Sequence, residues 1–124
     1  MEVLSSRILL TPRDPERSRQ FYAERLGLAI YREFPGGTVF FLGGGFLEVV
    51  GRGEHGPGPD VALWLQVRDV EATVAELKQR DVPVTREPRQ ELWGLREAWV
   101  ADPDGTRIVL VEVPDDHPLR VDTR

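Results

Sequence analysis

The chain contains no cysteine among its 124 residues and only two histidines. The first absence excludes disulfides, thiolate zinc sites and cysteine nucleophiles. The second leaves little imidazole for a metal centre. Long apolar runs are also missing. VFFL at 39–42 is typical, and a bilayer span needs roughly 20 such residues. The N-terminus lacks the basic-then-apolar pattern of a signal peptide, so a cytoplasmic location is expected. Basic charge is short too. The net charge of −5 argues against nucleic-acid binding; it is compatible with a cationic ligand and equally with simple dispersal in water. GGTVFFLGGG lies between strands and has no helix after it, so it does not serve as a phosphate loop. No nucleophile–base–acid spacing stands out.

What is present suits one soluble domain, with 40% hydrophobic and 30% charged residues. RILLTP, beginning at Arg7, has strand character. Asp14 followed by Pro15 is a helix start, because Asp caps free N–H groups and Pro is tolerated at the first helical position. Phe21, Tyr22 and Leu26 give this helix an apolar face, with Tyr22 a core residue, and Gly27 can end it. AIYREF (29–34), TVFFL (38–42) and FLEVVG (46–51) read as antiparallel strands joined by the turns PGG and GGG.

A Gly/Pro-rich linker, 52–60, leads to a second unit. VALWLQV (61–67) is a strand, and Asp69 caps a helix with Val70, Val74 and Leu77 on one face. PVTREP (83–88), REAWVAD (96–102) and TRIVLVEV (106–113) supply strands, with DPDG (102–105) as a hairpin turn. A solvated tail, 114–124, follows. RDPE at 13–16 and RDVE at 68–71 sit 55 residues apart, each after a strand and at a helix start. The expected fold is therefore α+β: two βαβββ modules, 5–51 and 61–113, forming a curved mixed sheet around a cleft within a single domain.

This order of elements resembles the glyoxalase/bleomycin-resistance/extradiol dioxygenase superfamily, the vicinal oxygen chelate fold, over about residues 5–113. DPERSRQFYAERLGL (14–28) is similar to its first helix, and DPDGTRIVLVE (102–112) to its closing hairpin and last strand. The resemblance implies four metal-ligand positions, one on each of four strands. They fall here on Arg7, Glu48, Ala62 and Val109. Only Glu48 could bind a metal. Ala62 and Val109 have no donor, and Arg7 is a permanent cation. His55, in the linker, and His117, in the tail, read as exposed loop residues that do not rescue the site. Neither a metal nor another cofactor is expected.

Strand alternation with these positions inward also turns Leu9, Phe46, Val50, Trp64, Gln66, Arg107 and Val111 toward the cleft. Arg7 is expected to pair with Glu48. The expected ligand-binding residues are Arg7, Phe40, Glu48, Trp64, Trp93, Trp99 and Val109, with Phe40 rather than Phe41 facing inward. Tyr31 could reach the rim. Trp93, in QELWGLRE (90–97), is placed to wall a planar ligand, whereas Trp64 and Trp99 also suit core packing. The resemblance to the metal-free bleomycin-resistance branch implies a homodimer that sequesters a planar or cationic antibiotic-like molecule, with no nucleic-acid or membrane partner. An apolar concave face would favour pairing as well. Two alternatives stay open: a lyase, isomerase or dioxygenase using Glu48, and an accessory domain with a vestigial cavity.

Overall fold

The computed structural model describes residues 1–119; the end of the tail, 120–124, lies outside the described residues. Contacts within the chain divide it into two compact units. The first is Met1–Asp60 with the turn Pro103–Gly105, and the second is Val61–Asp102 with the chain from Thr106 onward.

The first unit begins with strand β1 (Arg7–Leu10) and helix α1 (Pro15–Gln20). Asp14 caps α1, accepting a hydrogen bond from the Arg17 amide at 3.2 Å, and Pro15 opens it. The helix then widens into a π-type turn over Phe21–Arg25, where the Leu26 amide reaches the Phe21 carbonyl at 2.8 Å. An uninterrupted α-helix was the sequence expectation. The wider turn accompanies burial of the consecutive residues Phe21 and Tyr22, whose rings meet edge to face. Gly27 then leaves the helix at a φ of 78°, a conformation that glycine adopts without strain.

Strands β2 (Ile30–Phe34), β3 (Gly37–Leu42) and β4 (Gly45–Val50) complete a sheet ordered β1-β4-β3-β2, with β1 and β4 parallel and the other pairs antiparallel. Phe40 and Leu47 are fully buried, and Phe40 packs near Tyr22 of the helix. Each such side chain contributes about 1.5–3 kcal/mol by leaving water. The turn at Pro103–Gly105 is held to this unit by Asp104, which accepts from the Arg13 side chain at 3.0 Å and from its amide at 3.2 Å.

The second unit repeats the plan. Its elements are β5 (Ala62–Gln66), α2 (Val70–Gln79), β6 (Val84–Gln90), β7 (Arg96–Ala101) and β8 (Arg107–Glu112). The sheet is ordered β5-β8-β7-β6, with β5 and β8 parallel. Asp69 caps α2 through the Ala72 amide at 3.0 Å, and Val70, Val74 and Leu77 are its buried face. Leu63, Ile108, Leu110, Ala98 and Val100 are buried on alternate strand positions. Pro88 has no N–H to donate, and it lies on edge strand β6 where the register shifts between Arg86 and Arg89. The two four-stranded mixed sheets bear out the α+β expectation.

Candidate functional site

Each sheet has a second face, opposite its helix, where side chains alternate outward. In the first unit this face brings Arg7, Leu9, Phe46, Glu48, Phe41 and Tyr31 together. Arg7 pairs with Phe46 in register, Leu9 with Glu48, and Phe41 with Phe46. The rings of Tyr31, Phe41 and Phe46 form one cluster, with centroids 4.8–5.6 Å apart. The Arg7 guanidinium lies 5.9 Å from the Phe46 ring and donates to Glu48 Oε1 at 2.7 Å. The expected Arg7–Glu48 pair is present. Its consequence differs from the sequence reading: the Glu48 charge is already matched, so this carboxylate does not single out a cationic ligand.

Phe40 needs correction. It is fully buried on the helix side, whereas its neighbour Phe41 is 45% exposed on the open face. The strand period is two, so placing Glu48 on the open face puts its register partner Val39, and with it Phe41, on the same side. The cross-strand partner of Glu48 would have been the right guide.

On the open face of the second sheet, Trp64, Val109, Trp99 and Arg86 stand in one register row. Val109 is buried in a cluster with Leu95, Val111 and Val113, against which Trp99 packs. Trp64 is 50% exposed on edge strand β5, so the core alternative does not hold for it. Two guanidiniums lie over the Trp99 ring, Arg86 at 4.1 Å and Arg107 at 4.7 Å from its centroid. The sequence reading turned Arg107 inward and missed Arg86, whose pairing with Trp99 passes through a register shift that no sequence spacing signals.

Trp93 lies in the tight turn between β6 and β7. Its ring is 58% exposed, yet its Nε1–H donates to the buried Glu97 carboxylate at 2.8 Å. Glu91 anchors the same turn: it pairs with Arg86 and Arg89, and its amide bonds to the Leu95 carbonyl at 2.8 Å. Gly94 has a φ of 88°, and a Cβ there would meet the His117 ring at 3.1 Å. His117 departs from the expected free loop residue. Its Nε2 bonds to the Trp93 carbonyl at 3.0 Å, and its Nδ1 accepts from the Leu119 amide at 3.2 Å. The second contact makes Nε2 the protonated nitrogen and the donor to Trp93. His55 is exposed beside Glu54, as expected.

The donor set does not fit a catalytic metal. Of the positions that would hold one, Ala62 and Val109 offer no ligand atom, and Arg7 occupies Glu48. Elsewhere, Asp69, Glu71 and Glu112 approach one another at the start of α2. They are already engaged, with the Ala72 amide, with Arg96 and with the Val70 amide. The hydrogen bond from Arg96 holds Glu71 below the usual carboxylate range. A polar cavity of about 390 Å³ in the first unit is lined by Glu16, Arg19, Glu33, Phe34 and Thr38. The Arg19–Glu33 ion pair is among these lining groups.

The Glyoxalase/Bleomycin resistance protein/Dioxygenase superfamily profile matches residues 5–110. The chain belongs to this superfamily. Among solved structures, the glyoxalase superfamily fold recurs in a glyoxalase/bleomycin resistance protein/dioxygenase from Nocardioides, with a TM-score of 0.79 and 18% identity over 95% of this chain and 89% of that one. TnmS3, an antibiotic binding protein from a Streptomyces species, aligns with a TM-score of 0.78 and 26% identity over 91% of this chain and 98% of that one. A lactoylglutathione lyase from Agrobacterium tumefaciens aligns with a TM-score of 0.70 and 16% identity over 90% and 92%. No curated protein matches the chain significantly. Among the described residues, no helix is long and apolar enough to cross a membrane.

Proposed function

We propose that this glyoxalase-superfamily chain is a metal-free small-molecule binding protein of the bleomycin-resistance-like branch, which sequesters a planar, antibiotic-like natural product in the cytoplasm as a homodimer. The observation that carries the reading is the open face of the second sheet, where large aromatic side chains remain half exposed. Trp64 and Trp93 are 50% and 58% accessible, a large apolar area to leave in water without a use. The antibiotic binding activity of a relative at 26% identity supports the same reading. On the first sheet the proposed contacts are Arg7, Glu48 and Phe41, the last in place of Phe40; on the second they are Trp64, Trp93, Trp99 and Val109. No catalytic step is assigned. The ion pair with Arg7 opposes use of Glu48 as a general base, because a base must be free to take a proton.

A thermal-shift screen tests this reading. Ligands that bind only the folded state raise its apparent stability, by about 2.7 kcal/mol at a hundredfold excess over Kd. The expected result is a rise with a planar compound, from bleomycin-type glycopeptides to polyaromatic quinones, with the compound recovered chemically unchanged. A rise with Mn²⁺, Fe²⁺, Ni²⁺ or Zn²⁺, or turnover of the compound, would replace the binder with an enzyme.

A further inference from the structure

Trp99 on the second sheet carries two buried anomalies. Its indole Nε1–H has no hydrogen-bond partner among the described residues, and neither does the adjacent Arg86 Nε–H. Both are donors. Buried donors left unpaired cost about 1–3 kcal/mol each, so each calls for an acceptor. The charges around them point the same way. Arg86, Arg89 and Arg107 are three cations gathered here, against two carboxylates, Glu91 and Glu97. Glu91 is shared by Arg86 and Arg89, and Glu97 is taken by the Trp93 indole. One positive charge is in excess, and it lies beside exposed aromatic surface.

We propose that this face recognises a small planar aromatic anion, an arene bearing a carboxylate or phenolate, with its acidic oxygen toward Arg86 and Arg107 and its ring against Trp64. The inference rests on the binder reading and narrows its ligand from planar to planar and anionic, opposite in charge to the cationic ligand that the sequence alone allowed. Burial, and then Arg89 and Arg107, pull Arg86 below the ordinary arginine value, and a bound anion would relieve that repulsion. An arginine–carboxylate contact adds direction as well as charge, because two N–H groups can meet two oxygens. On the open face of the first sheet Arg7 has its acceptor in Glu48, in contrast to the unanswered donors of Arg86 and Trp99.

Three naphthalenes of matched size make the test: 2-naphthoate, 2-naphthamide and 2-naphthylmethylammonium, titrated by calorimetry into the intact chain. Naphthoate is expected to bind about tenfold tighter than the amide, equal to about 1.4 kcal/mol, with the ammonium weakest. Arg107 is exposed, so Arg107→Gln should keep the circular dichroism of the parent and lose most of that preference. Arg86→Gln should lose it too; if that variant does not fold, Arg107→Gln decides. Equal binding of the three probes, preference for the ammonium, or an unchanged preference in Arg107→Gln overturns this inference and leaves the binder reading standing. Failure of all three to bind overturns this inference too, while the thermal-shift screen decides the binder reading separately.

Discussion

The two units share one plan of strands and differ in the chemistry of their open faces. Both sheets place a parallel pair at one edge and an antiparallel hairpin beyond it. On the first, the aromatic cluster of Tyr31, Phe41 and Phe46 sits beside a closed ion pair, Arg7 to Glu48 at 2.7 Å. On the second, Trp99 lies under two arginines with buried N–H groups unanswered. The backbone pattern fixes how many side chains point to each face, and it leaves their charge free. A duplicated scaffold can therefore pair an arginine with its acceptor in one half and leave buried donors short of one in the other.

The largest test of this contrast lies on strand β3 of the first unit. Phe40→Ala should cost about 3–5 kcal/mol in urea unfolding, because it opens a cavity under the helix. Phe41→Ala should cost about 1 kcal/mol, the worth of its ring contacts. Equal losses would mean that the two faces of this sheet are assigned wrongly.

A smaller contrast separates the polar ties. Trp93→Phe strands the buried Glu97 carboxylate and should cost about 1–3 kcal/mol. Glu48→Gln keeps an oxygen toward the part-exposed Arg7 and should cost under about 1 kcal/mol. Matching melting temperatures for the two variants would erase this difference between the units.

The smallest effect is a pH dependence at the start of α2. Glu71 is held below its ordinary range by Arg96, so its folded value is depressed. Such a group contributes stability above its unfolded value, and the contribution fades as pH falls through the folded one. Glu71→Gln should therefore be slightly less stable than the parent at neutral pH and indistinguishable from it in strong acid. A gap that persists in acid would assign the loss to packing instead of charge.

Much of this was legible beforehand. The caps at Asp14 and Asp69, the buried stripe Val70, Val74 and Leu77 and the repeated order of elements follow from local chemistry and periodicity, and the Arg7–Glu48 pair follows from the ligand positions that the family resemblance implies. With the metal positions that the resemblance implies, Ala62 and Val109 could be seen to offer no donor. The facing of Phe40 could not, because either of two adjacent phenylalanines satisfies a period of two until the register with Glu48 is known. His117 was missed for a similar reason: its partner Trp93 lies 24 residues away, and no spacing links a tail to a turn.

The sequence by itself determined the two βαβββ units and their helix starts, because these depend on residue type and short-range periodicity. Only the tertiary structure decided which charges meet. Arg86 and Arg107 converge on Trp99 from different strands, and together with Arg89 they outnumber Glu91 and Glu97 only once β6, β7 and β8 are in register. Electrostatic balance depends on distances across the sheet, which a linear order of residues does not contain.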